Sequence, residues 1–254
     1  MTADASREPE RARSFGAIAE DYDRLRPGPA PAAVEWLLPE PCRHAVDVGA
    51  GTGLFTRALA ERVAQVTAVE PDERMAEVLA ARSPEVRVLV GQAEALPIDD
   101  ASADGVFVSA AWHWMDPERA GAEFARVLRP GGRLGLIWTN RDHAVDWIAE
   151  IEKARGGREL TGSMQFRRRR EVRLPESLPF TAGEWEQFRF RRTMSVDDFV
   201  AWQATYSGLI IVSDEERADG LDRVRRLVRE RFGDVDSLDV PMSSLAWRAD
   251  RTSA

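Results

Sequence analysis

The chain predicts an α/β fold: a doubly wound, mostly parallel sheet with helices on both faces. Two observations carry this. From residue 43 onward, short apolar runs alternate with segments of helical spacing. And the first run, Ala45–Val48, breaks into alternating glycines at Gly49, Gly51 and Gly53, while the second, Val66–Val69, ends in the carboxylate Glu70. A strand that turns through glycines into a helix, answered by a second strand tipped with an acid, is a nucleotide-cradling unit.

Each element follows from local pattern. Residues 1–13 are charged and unpatterned, and are expected to be disordered. Phe15, Ile18, Ala19 and Tyr22 share a helical face, and Arg26-Pro27-Gly28-Pro29 breaks the chain. Pro31–Leu38 reads as a helix stopped by Pro39-Glu40-Pro41. His44–Val48 is a buried strand and Leu54–Val63 a helix. Val66–Glu70 is a strand, and Asp72 caps a helix through Ala81. Val86–Val90 and Gly105–Ser109 are strands. Asp116-Pro117-Glu118 is a helix start, with a cap, a first-turn proline and an early acid. That helix runs to Arg129 and stops at Pro130-Gly131-Gly132, and Leu134–Thr139 is the fifth strand. Beyond Asn140 the rhythm weakens. A helix is expected over Asp142–Ala154, and a loop or mobile lid over Gly156–Pro179. A strand is expected at Trp185–Arg191, helices at Val196–Ala204 and Glu215–Arg231, and a last strand at Ser243–Ala249. The division read from this is a disordered 1–13, a cofactor-binding core with N-terminal helices over 14–140, and a substrate or lid region over 141–254 that completes the same sheet.

Composition narrows the class. The 254 residues carry a formal net charge of −8, against a role in gripping nucleic-acid phosphates. No apolar run is long enough for a bilayer span, and the N-terminus does not read as a secretory signal. The single cysteine, Cys42, excludes an internal disulfide, and with three scattered histidines a metal site is not expected. A cytoplasmic location is the default. Lys153 is the one lysine, and arginines cluster at Arg167–Arg170, Arg189–Arg192 and Arg223–Arg231. These form either a solvated surface or a basic rim near an acidic substrate.

The glycine spacing argues about which nucleotide is held. A dinucleotide fingerprint, Gly-x-Gly-x-x-Gly, would place its third glycine at position 54, where Leu54 stands. Asp47 also occupies the end of the first strand in place of an apolar residue. A carboxylate there suits a ligand end that is cationic or donates hydrogen bonds, such as the ammonium of S-adenosylmethionine, better than a pyrophosphate.

Val46-Asp47-Val48-Gly49-Ala50-Gly51-Thr52-Gly53 with Val66-Thr67-Ala68-Val69-Glu70-Pro71 resembles the first two motifs of class I S-adenosylmethionine-dependent methyltransferases. The likeness continues through Gly91-Gln92-Ala93-Glu94-Ala95-Leu96-Pro97, Ala111-Trp112-His113-Trp114 and Val127-Leu128-Arg129-Pro130-Gly131-Gly132. Phe15, Tyr22 and Arg26-Pro27 are similar to the small-molecule, trans-aconitate methyltransferase-like branch. The resemblance implies a seven-stranded Rossmann-like sheet with a C-terminal antiparallel hairpin and helical lid elements. It implies that Gly49, Gly51 and Gly53 line the methionine and ribose. Asp47 would anchor the amino end and Glu70 the ribose hydroxyls. Met75, Gln92 and Ala93 would meet the adenine, with Met75 serving equally as core at its helical spacing. Gln92 stands where relatives often carry Asp. Tyr22 and Arg26 would close over the cofactor's carboxylate, or else pin the N-terminal helix. Ser109 and Ala110 would face the sulfonium.

His113, between two tryptophans after the fourth strand, lies on the side where open α/β sheets bind ligands. It is the candidate general base, or else it orients the loop. His44 reads as structural, and His143 as a weaker candidate for substrate contact. The expected activity is methyl transfer to a small-molecule acceptor, most simply at oxygen, with no nucleic acid or membrane as partner. The oligomeric state is left open. The rivals are a nicotinamide-dependent oxidoreductase and a non-catalytic S-adenosylmethionine-binding protein.

Overall fold

The computed structural model describes residues 24–156, 172–205 and 212–253. Residues 1–13, the helix expected over Phe15–Tyr22, and Arg167–Arg170 lie outside them. The described elements run α1 (Pro31–Leu37), β1 (His44–Val48), α2 (Leu54–Ala60), β2 (Gln65–Glu70), α3 (Glu73–Arg82), β3 (Arg87–Val90) and β4 (Ala103–Ser109). They continue with a 3₁₀ turn at Trp112–Trp114, α4 (Pro117–Val127), β5 (Leu128–Arg141), α5 (Asp146–Arg155) and β6 (Glu184–Ser195). α6 (Val196–Ala204), α7 (Asp214–Phe232) and β7 (Ser237–Asp250) complete the chain.

The seven strands form one sheet in the order β3-β2-β1-β4-β5-β7-β6. β1 to β5 are parallel, as strands joined through helices must be. β7 lies antiparallel to both neighbours. Against β5, Gly131 N–H donates to Arg251 O and Asp142 N–H to Pro241 O. Beside β6, Thr181 N–H donates to Asp250 O and Val196 N–H to Asp236 O. The expected C-terminal antiparallel pair is therefore β6–β7, with β7 inserted beside β5. The chain winds outward from β1 to β3 on one side and from β4 on the other, so β1 and β4 flank the switch point, where such sheets bind ligands.

The caps follow the sequence. Asp72 accepts from Arg74 N and Met75 N, and Asp116 from Glu118 N and Arg119 N. Ser213 and Glu216 close a full capping box on α7. Four elements differ clearly from expectation in their bounds. β5 begins at Leu128, directly after α4, because the Pro130-Gly131-Gly132 turn is absorbed as a register shift against Ala103/Gly105. α5 starts at Asp146 rather than Asp142, because the Asp142 carboxylate accepts from its own Ala144 N–H and from Arg189. β6 and β7 run to 12 and 14 residues, well beyond their expected spans.

The chain divides into two compact units. Among the described residues, one comprises 28–139, 173–188 and 244–253, and the other 24–27, 140–156, 172, 189–205 and 212–243. The first is built on β1–β4 with a core that includes Val46, Leu59, Leu79, Phe107 and Phe124. The second packs α5, α6 and α7 with parts of β6 and β7 around Trp147, Phe199, Trp202, Val224 and Val240.

Candidate functional site

Parallel register assembles the site. Asp47 of β1 sits beside Ala68 of β2 and Phe107 of β4, so the carboxyl ends of three strands come level. From there the chain turns through Gly49, Gly51 and Gly53, all in the left-handed region (φ +68°, +58° and +89°). At Gly49 a Cβ would come within 2.8 Å of Ala111 Cβ, so only glycine lets the turn after β4 close over this loop. At Gly53, the residue capping α2, a Cβ would meet Leu79 Cγ at 2.8 Å. Beside Gly51 there is room, with only Met75 Sδ in reach of an added Cβ at 3.9 Å.

Glu70 ties the turn to the second strand. It is 6 % exposed; one carboxylate oxygen accepts from Gly51 N–H at 2.7 Å and the other from Asp72 N–H at 2.9 Å. A carboxylate has about four acceptor sites, so two bonds leave it acceptor capacity. Burial, with the nearby Asp72 charge adding to it, raises its pKa against the two backbone donors, which lower it.

Asp47 is fully buried. Its Oδ2 accepts from Thr56 Oγ1 at 2.6 Å, and its Oδ1 has no hydrogen-bond partner. Burial pushes its pKa up to about 7; the Thr56 hydrogen bond opposes this and the nearby Glu70 charge adds to it. Thr52, 1 % exposed, also has a hydroxyl without a partner. Two orphaned polar atoms, one near the end of β1 and one in the glycine turn that follows, mark a ligand site, since most buried polar groups are paired. Thr52 and Thr56 were not singled out from the sequence. The signal for Thr56 is its place on the first turn of α2, above a buried acid.

The other expected residues are placed as follows. Met75, 8 % exposed, packs beside the glycine turn. Exposed Gln92 and buried Ala93 follow β3, where Ala95 N–H closes a turn onto Gln92 O. Ser109 ends β4. Ala110 adopts φ +54° and donates to Ile137 O at 2.8 Å. A left-handed alanine is strained by about 1 kcal/mol or more, and such strain collects at functional sites. His113 lies in the 3₁₀ turn, its ring 4.5 Å from that of Trp114. Trp112 is core against Phe124, whereas Trp114 is exposed. His44 bridges Ser102 O and Thr67 Oγ1, as a structural histidine does.

Two expectations fall in the second unit. Arg26 donates to the Thr205 side chain and carbonyl. His143 pairs with Glu152 at 3.3 Å, and Glu152 also accepts from buried Arg141. Burial raises the Glu152 pKa, but His143 and the Arg141 and Arg155 cations outweigh it and hold the group low. Tyr22 lies outside the described residues. Among the described residues no cluster of metal-ligating side chains occurs, and no helix is long and apolar enough to cross a membrane.

An open α/β sheet with a glycine turn at its switch point, an acid before that turn and an acid after the second strand defines a protein that cradles a nucleoside-bearing cofactor. The chain belongs to the class I S-adenosylmethionine-dependent methyltransferases. Residues 46–136 match the methyltransferase domain family. An uncharacterized methyltransferase of Mycobacterium tuberculosis is 42% identical over 238 residues, covering 93% of this chain and 95% of that one. A malonyl-[acyl-carrier protein] O-methyltransferase of Methylococcus capsulatus is 39% identical over 135 residues, covering 48% of this chain and 49% of that one. Among solved structures, a candidate type II methyltransferase from Anaeromyxobacter dehalogenans aligns with a TM-score of 0.66 at 26% identity, covering 89% of this chain and 97% of that one.

Proposed function

We propose that this methyltransferase moves the methyl group of S-adenosylmethionine to oxygen, a carboxylate or hydroxyl, on a small-molecule acceptor in the cytoplasm. The observation that carries the cofactor assignment is the glycine turn held between Asp47 and Glu70, with Asp47 Oδ1 and Thr52 Oγ1 buried and unpartnered. These groups fit the cofactor. Asp47 offers an acceptor to its ammonium, Glu70 has acceptor capacity for ribose hydroxyls, and the glycines let it approach the backbone. Met75, Gln92 and Ala93 are assigned to the adenine side, Ser109 and Ala110 to the sulfonium side, and Tyr22 and Arg26 to the cofactor's carboxylate.

When bound, the cofactor supplies an electrophilic methyl on a sulfonium. The residues around it position and exclude water, which is where much of the rate arises. A carboxylate acceptor needs no base. A hydroxyl acceptor does, and His113 is assigned to take its proton. The oxygen assignment is supported by the partial likeness to an O-methyltransferase. The acidic balance of the chain favours a small acceptor over nucleic acid. The test is release of S-adenosylhomocysteine from S-adenosylmethionine in the presence of a panel of carboxylate and hydroxyl acceptors. Acceptor-dependent release supports the reading. Release with amine acceptors alone overturns the oxygen assignment, and no release with any acceptor favours a binding protein.

A further inference from the structure

Asp47 is a buried carboxylate with no cation paired to it within the site. β2 contributes Glu70, a second negative charge, and Asp72 caps α3 just beyond. β4 contributes apolar Phe107. α2 carries Arg57, whose guanidinium donates to Thr52 O. The turn after β4 brings apolar Ala111 and Met115 against Gly49. The one hydrogen bond made to the carboxylate is that from Thr56, and Thr56 is itself completely buried. A threonine in a helix has lower propensity than straight-chain residues, and its buried hydroxyl must be satisfied. Valine would fill the same volume without that demand. The hydroxyl therefore serves the carboxylate.

We propose that Thr56 is a positioning residue of the cofactor site: its hydroxyl keeps Asp47 chargeable and Oδ1 presented to the cofactor's ammonium, so that cofactor binding is linked to loss of a proton from Asp47. The inference rests on the methyl-donor reading above. Buried without a countercharge, Asp47 holds its proton into the neutral range, with a pKa of about 7. The ammonium provides the missing countercharge, and the competent fraction of the free protein is the ionised one. Apparent affinity scales with that fraction. It falls from about nine-tenths at pH 8 to about one-tenth at pH 6, so binding weakens about tenfold across that range. Without the Thr56 hydrogen bond, which lowers the pKa, the transition moves to higher pH.

Calorimetric titration with S-adenosylhomocysteine between pH 6 and 8, in buffers of differing ionisation enthalpy, reads both affinity and proton count. The wild type is expected to bind about tenfold more weakly at pH 6 than at pH 8, releasing close to one proton at pH 6. Thr56→Val is expected to shift the transition to higher pH, and Thr56→Ser to restore it. An unchanged pH dependence in Thr56→Val, or a loss of affinity equal at every pH, overturns the positioning role. The wild-type proton count stands without any variant, and binding with no proton release overturns the linkage while leaving the methyl-donor reading intact. No binding at any pH overturns both.

Discussion

Replacing Asp47 with asparagine tests the electrostatics of the site most sharply. The amide keeps the shape and can still accept from the Thr56 hydroxyl, but never carries charge. Burial raises the Asp47 pKa from its ordinary 3.8 to about 7. For an acid whose pKa is raised by folding, the protonated form favours the folded state. The penalty is therefore absent below the unfolded pKa, grows as pH rises, and is complete above the folded pKa. A difference of about 3 units at about 1.4 kcal/mol each sets the penalty near 4 kcal/mol at pH 8, as an upper bound. At pH 5 it is under about 2 kcal/mol. Asp47→Asn is thus expected to stabilise the cofactor-free protein at pH 8, and less so at pH 5, while weakening S-adenosylhomocysteine binding. Urea denaturation of both proteins at the two pH values measures this. A variant less stable than wild type at pH 8, or a difference independent of pH, would refute the reasoning.

Three further outcomes follow from the same geometry. Glu70→Ala leaves the N–H groups of Gly51 and Asp72 without their acceptor, a loss of about 1–3 kcal/mol each. Isothermal titration should show cofactor affinity at least about tenfold weaker, and an unchanged dissociation constant removes Glu70 from the site. Gly49→Ala forces a Cβ to 2.8 Å from Ala111 Cβ at φ +68°, and thermal unfolding should report a loss of about 2–4 kcal/mol. A change within about 0.5 kcal/mol means that the turn after β4 does not rest on this glycine. If His113 accepts a proton from a hydroxyl acceptor, then at saturating S-adenosylmethionine, where Asp47 is already ionised, His113→Ala should lower kcat/KM for the acceptor by about 10²–10⁴ and abolish the acidic limb of its pH profile. A profile of unchanged shape makes the histidine a packing partner of Trp114.

The cofactor half of the molecule was legible because its signals are local. An apolar run ending in Asp47 and broken by glycines allows few conformations, and β1 was delimited to the residue. Asp72 and Asp116 announced their helices through caps that need only residues two and three positions on. Met75 was readable either as core or as cofactor contact, and it stands 92 % buried beside Gly51. The extent of β7 was underestimated for a physical reason. Residues 240–247 of β7 are buried without a break, so the strand lacks the period-two alternation that marks a half-exposed strand. Thr56 was missed because its partner is set by tertiary packing, nine residues away along the chain. Asp142 was misplaced in a helix because Arg189, 47 residues on, claims its carboxylate.

Calorimetric titration of the wild-type protein with S-adenosylhomocysteine and, separately, with NADH tests the central claim most directly. The account predicts saturable binding of S-adenosylhomocysteine at one site per chain and none of NADH. Binding of NADH, or failure of S-adenosylhomocysteine to bind, would contradict it.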